Sequence, residues 1–103
     1  MPSELNELIH QPLRLKIMAT LAALPPREPI EFTRLRGISE ATDGNLGTHL
    51  AALEKAGYVR IEKDFVGKKP RTRVAMSPAG RRAFQQHVGF LQDLIEAASG
   101  AGE

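Results

Sequence analysis

Cysteine is absent from the 103-residue sequence, and so is any long hydrophobic run. Without cysteine the chain has no disulfide bond, no cysteine–zinc site and no thiol nucleophile, which fits a reducing compartment. Its apolar stretches are far shorter than the roughly 20 residues that cross a bilayer, and Met1–Glu4 lacks the features of a signal peptide. We therefore expect a cytoplasmic protein without a membrane partner.

Patterns of catalytic and metal-binding residues are also absent. The three histidines, His10, His49 and His87, fall on different predicted helices, and the sequence has no glycine-rich phosphate loop, H-E-x-x-H pair or nucleophile elbow. Asp93 and Glu96 come nearest to a carboxylate pair, on the polar face of the last predicted helix. His87 could hold a metal with either of them across a dimer, but this spacing has little specificity. We expect no enzyme activity, no cofactor and no metal.

Basic residues are concentrated in one part of the chain, although the net charge is only +2. Residues 55–82 contain nine lysines and arginines but only two acidic residues, so this region carries +7 and the remainder −5. Such a region is either a binding surface for a polyanion or an arginine-rich solvated surface, and charge alone does not decide between the two.

The length of the chain predicts one domain with a modest core. We expect an N-terminal segment, a core, a long last helix and a tail, with boundaries at 1–11, 12–76, 77–98 and 99–103. The N-terminal segment is predicted to contain a short helix over 3–10 that is capped by Ser3. The core begins with an amphipathic helix from Pro12 to about Leu24, which the prolines at 25 and 26 terminate.

Two further helices are predicted in the middle of the core. After an extended piece at 29–31, residues 32–37 form a brief helix that ends at Gly37. Thr42 caps a longer helix whose C-terminal cap is Gly57. One face of this longer helix is small and polar, so it can approach another molecule closely. The opposite face is expected to be buried and consists of Leu46, Leu50 and Leu53.

A β-hairpin is predicted next, because residues 58–65 and 71–76 alternate between apolar and polar positions around a turn at 67–70. Phe65 belongs to the apolar side of the first strand, but Lys63 interrupts that side. The end of the hairpin is therefore expected to leave the core, and the turn to expose two positive charges, Lys68 and Lys69.

A long helix is predicted from Ser77-Pro78 to about Ala98. Its apolar residues span about half of its circumference, whereas one small core needs a stripe somewhat over about 100° wide. The surplus favours contact with the same helix of a second subunit over the alternative, in which the first helix and the N-terminal segment cover the whole stripe. The expected dimer interface consists of Leu5, Leu8, Ile9, Phe84, His87, Val88, Phe90, Leu91, Leu94 and Ile95.

The order of these elements describes a helix-turn-helix followed by a hairpin, or wing, and a long helix. The run Asp43–Val59 resembles the recognition helix and first wing strand of winged-helix regulators of the MarR/ArsR type. Lys63–Thr72 and Met76–Arg81 resemble a compact subfamily that is little more than a winged helix and a dimerising helix, and Leu8–Ile17 matches its first helix. We expect an α+β, mainly α fold: a winged helix-turn-helix with a two-stranded wing and a long C-terminal dimerisation helix.

This resemblance implies a cytoplasmic, homodimeric regulator of transcription that binds double-stranded DNA at a near-palindromic operator. It places the third helix in the major groove and the wing at the neighbouring minor groove or backbone. The residues expected to contact DNA are Asp43, Gly44, Asn45, Thr48, His49, Ala52 and Lys55 on the helix, and Lys68, Lys69, Arg71 and Arg73 on the wing. The resemblance leaves a small-molecule effector undetermined.

Several of these assignments have a structural alternative. Asn45 either reads adenine with two hydrogen bonds or satisfies the start of its own helix. His49 either reaches DNA or packs on the flank of the helix, and Arg73 either meets a phosphate or pairs with Glu62. Gly47 departs from the common family pattern, which has serine there, and this leaves the base contacts nearby undetermined.

The alternative function is a winged helix that serves as a protein-interaction module and does not bind DNA. Such a module is expected to have an apolar third helix or an uncharged wing, and this sequence has neither. We therefore expect double-stranded DNA and a second copy of the chain as partners.

Overall fold

A computed structural model describes residues 5–100 of the chain, and the predicted cap Ser3 and the tail residues 101–103 lie outside this range. Four helices and three strands follow one another within the described residues. Their order is α1 (Pro12–Ala22), β1 (Ile30–Glu31), α2 (Phe32–Ser39), α3 (Asp43–Lys55), β2 (Val59–Val66), β3 (Lys69–Met76) and α4 (Pro78–Gly100). The expected fold class, a mainly helical helix-turn-helix with a wing and a long last helix, is confirmed. None of these helices is long and apolar enough to span a membrane.

The second helix is longer than predicted. It continues through Gly37 to Ser39, and the chain then turns at Glu40, which adopts the left-handed conformation with φ 56°. The prediction that Gly37 ends the helix is therefore wrong. The helix continues because the buried Ser39 hydroxyl donates a hydrogen bond to the carbonyl of Leu35 at 2.7 Å, so a polar side chain fits into the last turn.

Both predicted ends of α3 are confirmed. The Thr42 hydroxyl accepts a hydrogen bond from the backbone N–H of Asn45 at 3.1 Å. At the other end, Gly57 has φ 82°, and the N–H of Tyr58 donates to the carbonyl of Leu53 at 2.9 Å, which closes the helix. These two caps fix the ends of the helix. Its apolar stripe is fully buried and consists, as predicted, of Leu46, Leu50 and Leu53.

The sheet has three antiparallel strands in the order β1-β3-β2, so the extended piece after α1 adds a strand to the predicted hairpin. Ile30 pairs with Val74, and both are buried. The hairpin turn is shorter than predicted: it consists of Gly67 and Lys68, because Val66 already pairs with Lys69. Gly67 has φ 64°, which suits the first central position of a two-residue hairpin turn.

The N-terminal segment packs onto α4 of its own chain. A single helical turn is closed by the N–H of His10, which donates to the carbonyl of Asn6 at 2.9 Å. The Asn6 N–H donates to His87 Nδ1 at 3.0 Å, and the Asn6 side chain donates to the Tyr58 hydroxyl at 3.1 Å. Ile9 and His87 are fully buried as a result. Although both were expected at the dimer interface, they lie in the core of their own chain.

The buried histidine predicts that stability depends on pH. Burial, and to a smaller degree the neighbouring His10, lowers the pKa of His87 below its ordinary value of 6.5. The unfolded chain therefore takes up this proton at a higher pH than the folded chain. The stabilisation is complete above pH 6.5 and is lost as the pH falls below that value. Urea unfolding at about pH 7.5 and about pH 5.5 should give a lower free energy of unfolding at the acidic pH.

His10→Gln is the matched variant for this measurement, because it removes the charge that faces His87 Nε2 across 3.4 Å and leaves the buried ring in place. We expect it to reduce the loss of stability at acidic pH without abolishing it, since burial is the larger cause. A free energy of unfolding that is the same at both pH values would contradict the prediction.

The second half of α4 extends beyond the core. All buried residues of the helix lie in its first half and are Gly80, Ala83 and His87, whereas every residue from Gln92 to Gly100 is exposed. The described chain is accordingly elongated, with extents of 62 × 25 × 22 Å. Leu94 and Ile95 are 57% and 64% exposed on this extension. The helix therefore presents an apolar stripe that its own chain does not cover.

Candidate nucleic-acid interface

The outer face of α3 is the largest group of predicted DNA contacts that the structure brings together. Thr48 and Lys55 are exposed together with the three residues at the start of the helix, whereas Ala52 and His49 are half-buried at its edges. The short side chains at 44, 48 and 52 allow close approach of the helix backbone to a base edge. The residues at the exposed start of the helix are Asp43, Gly44 and Asn45.

Thr42 and Asn45 have different roles at the start of α3. The cap is formed by the Thr42 hydroxyl and uses only the backbone N–H of Asn45. The exposed carboxamide of Asn45 is therefore not needed to satisfy the helix start. Its donor and acceptor can form the pair of hydrogen bonds that distinguishes adenine in the major groove.

A contact between the two helices of the motif neutralises the acidic residue at this end. Arg36 Nη1 lies 2.7 Å from Asp43 Oδ1 and joins α2 to α3. Both side chains are largely exposed, so the pair adds little stability. Its electrostatic effect is that the carboxylate nearest the outer face of α3 already has a cationic partner when a polyanion approaches.

His49 is held by a residue of α1 that the sequence analysis did not identify. Arg14 Nε donates a hydrogen bond to His49 Nδ1 at 2.8 Å, and Arg14 Nη1 donates to the carbonyl of Leu8 at 3.2 Å. Since arginine is only a donor, the neutral His49 ring carries its proton on Nε2. His49 is thus packed on the helix flank, as in the structural alternative, and Nε2–H remains as the donor of the ring. No local pattern links residues 14 and 49.

The four basic residues expected to act on the wing fall into two groups. Lys68 and Lys69 are exposed at the tip, whereas Arg71 and Arg73 are paired with carboxylates across the hairpin. Arg71 donates to both oxygens of Asp64, at 2.9 and 2.6 Å. This hydrogen bond holds the pKa of Asp64 below its usual value and raises the pKa of Arg71.

Arg73 pairs with Glu62, which is the pairing given as its structural alternative. Its Nη2 lies 3.1 Å from a Glu62 oxygen and 3.6 Å from an oxygen of Asp64. Glu62 and Arg73 are directly opposite each other on the two strands, which makes this pairing favourable. Both arginines therefore hold the two wing strands together, and the exposed positive charge at the tip of the wing comes from Lys68 and Lys69.

Metal ligands are not clustered in the described part of the chain, where no three His, Cys, Asp or Glu residues could hold an ion together. Two possible ligand atoms, His87 Nε2 and His10 Nδ1, lie 3.4 Å apart. Because the N–H of Asn6 points at His87 Nδ1, that nitrogen is an acceptor and the proton of the neutral ring is on Nε2. A metal on Nε2 would require this arrangement to change.

Comparison with known proteins gives the same fold. Residues 13–95 match a family model described as winged helix DNA-binding domain. An uncharacterized protein of Methanocaldococcus jannaschii is 33% identical over 82 residues, which cover 80% of this chain and 86% of that protein.

Solved structures agree with this match. A transcriptional regulator homologue from Pyrococcus horikoshii is 28% identical and superimposes with a TM-score of 0.80, over 90% of this chain and 89% of that one. A MarR family transcriptional regulator from Silicibacter pomeroyi has a TM-score of 0.68 at 21% identity, over 88% of this chain and 58% of that one. The second likeness is one of fold alone.

Proposed function

The chain belongs to the family of winged helix DNA-binding domains, and we propose that it regulates transcription as a homodimer bound to a near-palindromic operator. The observation that carries the proposal is the exposed outer face of α3, which is small, polar and capped independently of the Asn45 side chain. In this proposal α3 lies in the major groove, where Asn45 and Thr48 reach base edges and Ala52 contacts a thymine methyl group.

Phosphate contacts are assigned to the lysines around this face. Lys55 is exposed in the last turn of α3, and Lys68 and Lys69 are exposed at the wing tip. Phosphate contacts fix the register of a protein on the duplex but do not read sequence. We propose no catalytic step, cofactor or metal for this protein. We also propose that the protein acts in the cytoplasm.

The dimer is supported by the uncovered apolar stripe of α4. Helix α4 presents Leu94 and Ile95 to solvent beyond the core, and Leu91 is only half-buried one turn earlier. A second copy of the same helix is the simplest cover for such a stripe, because a two-fold contact uses the same patch on both subunits. A two-fold dimer presents two α3 helices, so its half-sites are expected about one helical turn apart.

Selection from a randomised pool of duplex DNA at about 100 mM salt tests the function. A regulator of this kind is expected to enrich a two-fold symmetric motif. A pool that is not enriched, or one retained only without sequence preference and lost at slightly higher salt, would contradict the proposal and favour the protein-interaction alternative.

Replacing the wing lysines tests how they act. We expect Lys68→Gln with Lys69→Gln to lower the slope of log affinity against log salt by up to about two, because two phosphate contacts are lost. The selected motif should not change. Arg82→Gln, which removes one exposed positive charge from α4 outside the proposed interface, is the control and should leave the slope unchanged. A changed motif would mean that the lysines read bases.

A further inference from the structure

The tip of the wing exposes two large apolar side chains. Phe65 is 70% exposed and Val66 56% exposed, directly before the turn at Gly67 and Lys68. Among the large apolar side chains of the described residues, Phe65 is the most exposed. An aromatic ring in water forgoes a large burial energy, and Phe65 is the last residue but one of β2, at the opposite end of the strand from the buried Val59. Its position leaves the ring open to a partner outside the chain.

The side chain of Phe65 projects from the sheet face that is turned towards the recognition helix. Successive strand residues alternate between the two faces of a sheet, so Phe65 shares its face with Ile61 and Lys63. Ile61 and Lys63 line a groove whose opposite wall includes Glu54 of α3. Phe65 lies one step further out on the same face, whereas Val66 projects from the opposite face. A duplex that contacts α3 would thus meet Phe65 and not Val66.

The charges around Phe65 fit a polyanion. Lys63, Lys68 and Lys69 are all exposed near the tip. The carboxylates on the same two strands are already paired: Asp64 with Arg71, and Glu62 with Arg73. The tip is therefore a narrow two-stranded hairpin that carries an aromatic ring among unpaired ammonium groups. This combination matches the minor groove, where phosphates flank an apolar surface of sugars and base edges.

We propose that Phe65 enters the minor groove next to the α3 site as an apolar wedge, partly unstacks one base step and bends the duplex. This inference rests on the proposed DNA-binding function and goes beyond it, because it names a residue that reads deformability and not hydrogen bonds. Minor-groove proteins kink DNA with inserted apolar side chains, and pyrimidine–purine steps open most easily. Phe65 is then a specificity-determining residue for a step that no polar side chain contacts.

The first test compares Phe65→Ala with Val66→Ala on the operator obtained by selection. Both variants truncate an exposed apolar side chain at the same tip, but only Phe65 lies on the sheet face that is turned towards α3. We expect Phe65→Ala to lower affinity about tenfold, because the apolar side chain that is inserted between bases is lost, with an unchanged salt slope. Val66→Ala is expected to stay within about twofold, and Phe65→Leu to retain most of the affinity because it keeps an apolar side chain.

The second test measures base unstacking and duplex bending directly. 2-Aminopurine placed in the operator beneath the wing should brighten on binding of the unchanged protein, because its stacking is lost, and should not brighten with Phe65→Ala. The end-to-end distance of a doubly labelled duplex should shorten only with the unchanged protein. Equal affinity and equal bending for the two proteins would overturn the wedge and leave the proposed function intact.

Two other results would also overturn the inference. A Phe65→Ala protein that sediments differently from the unchanged protein would place Phe65 in a contact between subunits. An unchanged protein that binds no duplex at all would remove the proposed function, and the wedge with it. The circular dichroism of both variants is expected to match the unchanged protein, because neither side chain belongs to the core.

Discussion

Replacement of Leu94 and Ile95 together by glutamate is expected to convert a dimer into a monomer of 11.3 kDa and to abolish tight binding to a palindromic operator. Both side chains are mostly exposed on the part of α4 that extends beyond the core, so the change leaves the fold of each chain intact. Two carboxylates facing their symmetry mates would be desolvated without partners. Because linked half-site contacts raise affinity by about 10²–10⁴-fold, we expect a loss of that size.

Sedimentation at micromolar concentration measures the subunit state, and titration with the selected operator measures the affinity. The matched control is Gln85→Glu with Gln86→Glu, which adds the same two charges to exposed positions on the opposite side of α4. We expect the control to remain dimeric and to lose only the small part of the affinity that comes from net charge. If the unchanged protein already sediments as an 11.3 kDa monomer, the dimer hypothesis is wrong.

Local features of the fold were predictable because their physical cause is local in the chain. The caps of α3 depend on Thr42 and Gly57, which act within a few residues of their own position. Ser77 likewise caps α4 by accepting the N–H of Gly80 at 2.9 Å. The end of α2 was misjudged, since the choice between Gly37 and Glu40 depends on the buried Ser39 hydroxyl, and burial is a property of the tertiary structure.

Features that join distant parts of the chain were not predictable. Arg14 reaches His49 across 35 positions and Asn6 reaches His87 across 81, and neither pair shares a periodicity or motif. The pattern correctly showed that α4 is apolar around much of its circumference. It could not show that the N-terminal segment covers His87 and leaves Leu94 to solvent, because both residues lie on the same stripe of the helix and differ only in their position along it.

The surface that forms the candidate site was predictable from the sequence, but the ion pairs within that surface were not. Alternation of polar and apolar residues placed the wing lysines and arginines on one hairpin. The register then decides their roles, because Arg71 is opposite Asp64 and Arg73 opposite Glu62. A register shift of one residue would have turned both arginines onto the opposite face of the sheet, away from these carboxylates. The exposure of Phe65 agrees with the expectation, drawn from Lys63 on the same side of the strand, that this end of the hairpin leaves the core.

Replacement of Gly80 by alanine is expected to destabilise the fold by about 3 kcal/mol or more, among the larger effects of single substitutions. A Cβ atom at Gly80 would overlap the carbonyl oxygen of Tyr58 and lie 2.8 Å from its carbon. The backbone at Tyr58 cannot yield easily, because this carbonyl accepts the N–H of Ser77 at 3.0 Å. The helix is held too, since the Ser77 hydroxyl donates to the carbonyl of Gly57 at 2.6 Å.

The control for this experiment is Gly37→Ala, another glycine-to-alanine change within a helix. No atom lies within 4 Å of a Cβ built there, and its φ is not positive, so only helix propensity changes. We expect Gly37→Ala to stabilise the fold by about 0.5–1 kcal/mol. Urea unfolding of both variants at one protein concentration compares them, because the stability of a dimer depends on concentration. Opposite signs for the two substitutions would locate the cost in the contact between α4 and the backbone of Tyr58, whereas equal stabilisation would mean that the two are not packed this closely.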